Sequence, residues 1–526
     1  MVDGEAFVVH EHACDPAVGA LDHFANRVLE HRRSSPFPAS RDRATVALAR
    51  STRMPSLTGP SPRAYAALYA LALVSSWWIG PDGPIYWDSF GYVIQSITGR
   101  VGGLMLGRPT FVLASHATTL AWRAFGGSVT SVEPLLRAQW MLVSALGAPA
   151  LAWVATAAGL TRRASLTAGF FLALSPTVAH SSRAVLTDAP SMAVTLVASG
   201  LAWRAMRDAS RARMFAAGLT LGIAAGMREQ AITHLAAFVA LALFAERRRL
   251  SLALFACVGS LGALALPVAW IALHQRSYLA SLGDWSRSMA GERAQHTYGA
   301  RDLAMFVVWI VASGLAPLAA SLGALAKGWR PGTPPRPLLA FVSLSALQLA
   351  ALAFYQDIAF SPRYLLGALP VGLMLPCAIA LDGAWEMRRF RTGVLASAVL
   401  IALGAGPLVR RLERPLREGL ASLPSRLASI PSNAAVVTGQ LCPAVVYHRE
   451  LARLAPTPTP PTWVQVCPGW RWPARLSDRL DALRSEGRPV VIDLRANSWV
   501  GERQERSRAQ AEAYARTHPG AVTLWR

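Results

Sequence analysis

Residues 64–95 read AYAALYALALVSSWWIGPDGPIYWDSFGYVIQ, an apolar run followed at once by two aspartates among aromatic residues. The part over 64–80 has the length and composition of a helix that enters a membrane. Asp82 and Asp88 then stand where that helix would leave the bilayer, although only 16% of the chain is charged. The stretch therefore predicts a membrane helix with a polar site beside it at the membrane surface.

The rest of the chain repeats this apolar pattern. Of its 526 residues 53% are hydrophobic, whereas the charged share is well below the roughly 25% of a soluble domain. We predict an all-α polytopic membrane protein with about eleven transmembrane helices. The predicted spans are 64–80, 138–160, 164–178, 190–206, 213–227, 231–245, 250–273, 303–326, 337–354, 364–382 and 392–409.

The charges between these runs predict the topology. Arginine-rich connections such as TRRAS, ERRRL and EMRRFRTG alternate with connections of mixed charge. Because basic loops stay in the cytoplasm, the N-terminal segment 1–60 is expected there, largely disordered, and residues 411–526 on the outer side of a cell (inner) membrane. The apolar stretch 110–126 would invert this pattern if it crossed, so we predict an interfacial or re-entrant helix. Residues 61–410 form the membrane domain.

The formal net charge of +22 could indicate a nucleic-acid partner. The arginines, however, lie between apolar runs, as membrane topology requires. We therefore predict membrane lipids, and no nucleic acid, as partners.

After residue 410 the composition changes to that of a small α/β domain. NAAVVTG, AVVYH, WVQV, PVVIDL and AVTLW are typical of strands, and ARLSDRLDALRSEG and ERQERSRAQAEAYARTH of helices. Cys442 and Cys467 lie here, and spacing alone leaves open whether they form a disulfide.

Two aspartates are candidate catalytic residues. Asp88 is flanked by aromatic residues, and its carboxylate could accept a proton from a hydroxyl; it could equally cap the helix that follows. Asp188 in VLTDAPSM is a good helix start, so capping is the stronger interpretation, and it could also serve the site.

Four residues are candidates for binding a phosphate group: Arg183, Arg228, Arg363 and Tyr364. The arginines stand at predicted outer helix ends, and guanidinium groups bind phosphate bidentately. The alternative is that they snorkel to the interface, with Tyr364 as an interfacial anchor.

The acceptor or sugar side of such a site would be formed by Tyr86, Trp87, Tyr92, Arg108 and His180. Aromatic rings stack on sugars, whereas the histidine could simply be a hydrogen-bonded surface residue. No cysteine–histidine spacing of a metal site, Walker motif or GxSxG is present, so we predict no metal or other cofactor.

These motifs resemble the GT-C superfamily of integral-membrane glycosyltransferases, above all the branch of protein O-mannosyltransferases and lipid A aminoarabinose transferases. The resemblance covers roughly residues 60–410. It depends on WDSFGY, LGRPTFVL, LSPTVAHSSRAVLTDAPSM, GMREQA and SPRYLLGALP, in that order.

The resemblance implies a GT-C-like fold and sugar transfer from a polyprenyl-phosphate-linked donor to an envelope glycan, lipid or protein. It makes Asp88 the catalytic base of an inverting reaction and places Arg363 and Tyr364 at the lipid phosphate. The family's Asp-Glu pair is Asp88-Ser89 here, and its His-Pro-Pro element is Gly107-Arg108-Pro109. The first loop has no DxD, so a divalent metal is not supported.

Two other classes stay open. A lipid or sugar transporter or flippase would need ionisable residues near the bilayer midplane and often paired broken helices. A non-catalytic membrane scaffold would need no aspartate at the membrane surface. Charges gathered at one membrane surface and the lack of an evident sequence repeat count against the transporter, and loss of activity on substitution of Asp88 would separate the enzyme from the scaffold.

Overall fold

The computed structural model describes most of the chain, and all described residues belong to one compact unit, Leu57–Arg526. A few side chains at segment ends, including those of Trp87 and Cys442, lie outside the description, as does all of Tyr86. The predicted N-terminal segment falls almost wholly outside it, as do Cys467 and the side chain of Cys442, the two cysteines whose pairing the sequence leaves open. The described residues are 59–83, 87–102, 107–280, 282–283, 300–326, 334–355, 362–382, 387–438, 442–454, 462–466, 476–494 and 502–525.

The first half of the chain is a succession of helices. They are α1 (Pro62–Ile79), α2 (Trp87–Thr98), α3 (Pro109–Ala124), α4 (Val132–Ala145), α5 (Gly147–Ala157), α6 (Arg162–Ala173), α7 (Pro176–Arg183), α8 (Asp188–Asp208), α9 (Arg211–Met227), α10 (His234–Phe244) and α11 (Arg249–His274). Short 3₁₀ turns precede α4 and α10, at Val129–Ser131 and Glu229–Thr233.

The second half begins with further helices and ends in a mixed region. The elements are α12 (Ala300–Ala326), α13 (Arg336–Tyr355), a 3₁₀ turn (Pro362–Leu365), a π-helical turn (Pro370–Met374), α14 (Leu375–Leu381), α15 (Arg388–Ala421), α16 (Leu423–Ala428), β1 (Ala435–Val437), α17 (Cys442–Arg453), β2 (Val464–Val466), α18 (Leu476–Ser485), β3 (Val490–Asp493), α19 (Glu502–Thr517) and β4 (Val522–Trp525).

The predicted spans all fall on helical segments of this structure, which confirms an α-helical multi-pass membrane protein. By length and composition alone, four described helical segments could cross a membrane, and a fifth arises if α7 and α8, bent by 111°, count as one span. Other predicted spans are shorter helices. The stretch predicted to be interfacial forms α3.

The largest buried core joins α5 to α11 with the chain around α13 and α14. Alanine is its commonest residue. Small side chains let helices approach closely, which is how helices pack where lipid offers no hydrophobic driving force. Large apolar side chains such as Leu250, Leu266 and Leu273 on α11 are exposed instead, as expected of a lipid-facing surface.

The C-terminal α/β region (Leu423–Trp525) contains a parallel sheet with strand order β2-β1-β3-β4. The predicted small α/β part is thereby confirmed, with one correction. AVVYH, predicted to be a strand from its valines and tyrosine, lies within α17. Parallel neighbours need a crossover connection, and α17 supplies the one between β1 and β2.

Candidate active site

Asp88 lies in the first turn of α2, and its side chain contacts Arg363. The Nη2 atom of Arg363 is 2.5 Å from Oδ2 of Asp88, and both side chains are more than nine-tenths buried. Arg363 belongs to the 3₁₀ turn after α13, 275 residues further along the chain. The fold therefore joins the predicted base to a predicted phosphate-binding residue.

Tyr364 holds a second guanidinium beside the first. The guanidinium carbons of Arg228 and Arg363 each lie 5.1 Å from the centroid of the Tyr364 ring. The Tyr364 hydroxyl also accepts a hydrogen bond from Nη2 of Arg363 at 3.3 Å. Cation–π contacts of this kind favour the charged groups over the ring. The Tyr364 ring thus holds Arg228 and Arg363 close together although both are positively charged.

Asp188 faces Arg228 rather than capping its own helix. The N-cap residue of α8 is Thr187, and Nη1 of Arg228 is 2.8 Å from Oδ1 of Asp188. Although the two groups form an ion pair, neither oxygen of Asp188 and neither Nη of Arg228 has a hydrogen-bond partner in the described structure. The pair neutralises charge but leaves donors that a third group could use.

Arg108 enters the same site through an unusual backbone turn. Gly107 and Arg108 both have positive φ, +68° and +53°. A Cβ added to Gly107 would lie 2.2 Å from Cγ1 of Val101, so only glycine fits there. Left-handed backbone costs a non-glycine residue about 1–2 kcal/mol. The turn carries the Arg108 side chain inward, where it is buried.

Arg108 then meets Glu229, a residue that the sequence analysis did not include in the site. Its Nε lies 3.8 Å from Oε2 of Glu229, and its guanidinium carbon lies 5.4 Å from the centroid of the Tyr92 ring. Tyr92 itself packs edge-on against Phe111 at 5.1 Å. Glu229 directly follows Arg228 at a helix break. This adjacency is the feature of the sequence that could have placed Glu229 in the site.

Three guanidinium groups and three carboxylates thus form one buried cluster, which we call the Asp88 cluster: Asp88, Arg108, Asp188, Arg228, Glu229 and Arg363, with Tyr364. Burial by itself would raise the pKa of the Asp88 carboxyl. The positive charges of Arg363, Arg108 and Arg228 outweigh this effect and hold that pKa below its ordinary value. Asp88 is therefore ionised at neutral pH.

Arg183 and His180 lie in a different group of charged residues, which we call the Asp82 network. Arg183 contacts Asp82 at 2.7 Å, and Arg417 contacts the same carboxylate at 3.3 Å. Arg417 also contacts Glu413 at 2.8 Å, and His180 contacts Glu413 at 2.5 Å. The network ties α7 and α15 to the segment that follows α1.

The backbone around Gly80 explains why the Arg183 side chain lies in the Asp82 network. Arg183 donates a hydrogen bond of 2.6 Å to the carbonyl oxygen of Trp77. A Cβ on Gly80 would lie 2.3 Å from Cβ of Arg183, so the close approach depends on glycine.

The structure thus brings together seven of the predicted site residues: Asp88, Tyr92, Arg108, Asp188, Arg228, Arg363 and Tyr364. It places Arg183 and His180 in the Asp82 network. Tyr86 and the Trp87 side chain lie outside the described residues. Within the described ranges no group of three or more His, Cys, Asp or Glu side chains could hold a metal ion.

Two comparisons with known proteins bear on the fold. The fold is that of GT-C membrane glycosyltransferases, and the resemblance to that superfamily is confirmed by two findings. The family model of dolichyl-phosphate-mannose-protein mannosyltransferases matches residues 113–275. The crystal structure of ArnT from Cupriavidus metallidurans bound to undecaprenyl phosphate is similar over 88% of both chains, with a TM-score of 0.50 and 15% identity. No curated protein sequence matches the chain.

Proposed function

We propose that this protein transfers a sugar from a polyprenyl-phosphate-linked donor to an acceptor on the outer face of the cell membrane. The observation that carries the proposal is the buried contact between Asp88 and Arg363, with Arg228 stacked on the same tyrosine ring. It joins a proton acceptor to two phosphate-binding groups. The matched mannosyltransferase family and the ArnT-like fold support the same chemistry.

In the proposed reaction an acceptor hydroxyl attacks the anomeric carbon of the donor sugar. Asp88 takes the hydroxyl proton as the new carbon–oxygen bond forms. The bond from the anomeric carbon to the phosphate oxygen breaks, and its electron pair stays on the phosphate. Arg363 and Arg228 stabilise that growing negative charge. A single displacement inverts the anomeric configuration.

The Asp88–Arg363 contact implies that the donor binds before Asp88 acts as a base. Without a donor, Asp88 is ionised and its carboxylate is paired with Arg363. A donor phosphate competes with Asp88 for the same guanidinium, because both are anions that accept its hydrogen bonds. As Arg363 turns to the phosphate, its effect on Asp88 weakens and the carboxylate becomes a stronger base.

Arg108, Glu229 and Tyr92 are the proposed sugar side of the site. Glu229 has two buried oxygens without a hydrogen-bond partner among the described residues, so it can accept from sugar hydroxyls. We assign the phosphate to Arg228, Arg363 and Tyr364, which lie beside Asp88, and not to Arg183, which lies in the separate Asp82 network.

The proposed orientation follows from the arginine-rich loops. The N-terminus and the basic connections lie in the cytoplasm, and the C-terminal α/β region lies outside. In this orientation the Asp88 cluster lies on the outer side of the membrane. Nucleotide sugars are absent from that side, so the donor must be attached to lipid. No metal is assigned a step, since guanidinium groups supply the positive charge.

The test is transfer of labelled sugar by purified protein from a panel of polyprenyl-phosphate sugars to extracted envelope fractions. We expect label to leave the lipid with inversion at the anomeric carbon, and nucleotide sugars to be inactive. Retention of configuration would contradict the single displacement. Movement of intact labelled lipid across vesicle membranes without sugar transfer would instead support a flippase.

A further inference from the structure

We propose that the C-terminal α/β region positions the Asp88 helix, with Tyr447 as the positioning residue. This inference rests on the proposed function, because it concerns the placement of the proposed base. It gives this region a role in catalysis.

The contact joins α17 of this region to α2. The ring centroids of Phe90 and Tyr447 are 5.5 Å apart, with the rings tilted by 54°. Phe90 lies two residues after Asp88 and is 4% exposed, and Tyr447 is 7% exposed. The Tyr447 ring therefore packs directly against the first turn of α2.

One face of the sheet takes part in the same packing. Val436 and Val491 belong to a core that also contains Phe90, Tyr92 and Val93 of α2. Their neighbours on the strands, such as Val437 and Ile492, belong to a separate core on the other face of the sheet. Side chains alternate between faces along a strand. The side of β1 and β3 that carries Val436 and Val491 thus shares its core with the Asp88 helix.

The contact uses the ring of Tyr447 and not its hydroxyl. Burial, with the negative charge of Glu133 adding to it, raises the pKa of that hydroxyl to about 12, so it stays neutral. The recorded contact with Phe90 is between the two rings. Phenylalanine should therefore replace it, whereas alanine should not.

Arg228, Arg363 and Tyr364, the groups proposed to bind the donor phosphate, are held by other elements. Arg228 is the C-cap residue of α9, and Arg363 and Tyr364 lie in the 3₁₀ turn after α13. Loss of the Tyr447 ring should accordingly shift the base without weakening the phosphate site. This separates positioning of Asp88 from a general loss of structure.

The experiment compares Tyr447→Ala, Tyr447→Leu and Tyr447→Phe in the full-length protein. We expect Tyr447→Ala to lower kcat by about 10–100-fold, since misplacement by about 1 Å can cost about 10². Tyr447→Leu should show a smaller loss, and Tyr447→Phe should retain kcat within about twofold. The Kd of undecaprenyl phosphate should not rise in any of them.

Tyr514→Ala is the matched control. Tyr514 is 6% exposed in the same region but packs in the other core, away from α2. It should lower the stability of the region without lowering kcat. Equal kcat losses in Tyr447→Ala and Tyr514→Ala would overturn the proposal, as would an unchanged kcat in both Tyr447→Ala and Tyr447→Leu.

Phe90→Leu supplies a second readout. If both rings act through one contact, the double variant with Tyr447→Leu should lose no more kcat than the stronger single variant. Fully additive losses would contradict the inference. Wild-type protein that binds no undecaprenyl phosphate and transfers no sugar would overturn the proposed function itself.

Discussion

Asp88→Asn removes the carboxylate that contacts Arg363, and we expect it to tighten the binding of undecaprenyl phosphate while turnover is lost. Under the proposed function the lipid phosphate displaces Asp88 from Nη2 of Arg363, and in the wild-type protein these two groups are 2.5 Å apart in a buried site. In the variant an amide is the competitor. It carries no charge, so the guanidinium is more available to the phosphate.

The magnitude follows from the interaction that the phosphate no longer has to break. A hydrogen bond to a charged group contributes about 1.5–3 kcal/mol. At about 1.4 kcal/mol for each factor of ten, that corresponds to roughly 10–150-fold tighter binding. The asparagine oxygen can still accept a weaker bond, so the lower part of this range is expected.

Calorimetric titration of undecaprenyl phosphate into protein in nanodiscs measures the Kd directly. Thermal unfolding gives an independent reading. The variant should unfold at a lower temperature without lipid, because the buried Arg363 guanidinium loses the charged partner that it contacts in the wild type. Added lipid should then stabilise it more than it stabilises the wild type.

Asp82→Asn is the control, since it makes the same change in net charge but acts in the Asp82 network. Its Kd should equal that of the wild type. Equal or weaker binding in Asp88→Asn would refute the competition for Arg363. Tighter binding in Asp82→Asn would instead place the phosphate at Arg183.

Three further predictions concern the same groups. Arg363→Lys keeps the charge but loses the fork, so it should weaken undecaprenyl phosphate binding at least tenfold, whereas Arg183→Lys should leave that Kd unchanged. Arg363→Gln removes the strongest influence that lowers the pKa of Asp88, while burial, which raises that pKa, remains. The acid limb of the kcat/KM profile should therefore move to higher pH. An unchanged acid limb would show that this limb does not report the titration of Asp88. Gly107→Ala should lower the free energy of unfolding by more than about 1 kcal/mol, because φ is +68° at this position. The control is Gly83→Ala, since a Cβ added there meets nothing within 4 Å. Thermal unfolding should show almost no change in stability for this control.

The helices could be predicted from the sequence because a membrane span is encoded locally. Apolar runs of sufficient length predicted segments that fall on α1, α3 to α6 and α8 to α15, whereas α2 and most of α7 lie in stretches that were predicted only as outer connections. The misassigned stretch around Tyr447 shows the limit of local reasoning. Its β-branched and aromatic residues favour a strand, but a parallel sheet needs a crossover helix between β1 and β2.

The partners within the site could not be predicted in the same way. Asp88 and Arg363 are 275 residues apart, and nothing local in either motif specifies the other. Arg183 looked equivalent to Arg228, because both are basic residues at helix ends. Only the fold shows that Asp82 neutralises Arg183, while Arg228 stacks on the same tyrosine as Arg363.

The most direct test of the account is kcat for sugar transfer by Asp88→Asn, measured at saturating donor and acceptor beside the wild type and Asp82→Asn. A lost general base should lower kcat by about 10²–10⁴-fold, with undecaprenyl phosphate still bound and Asp82→Asn fully active. Wild-type kcat in Asp88→Asn would contradict the assignment of Asp88 as the base.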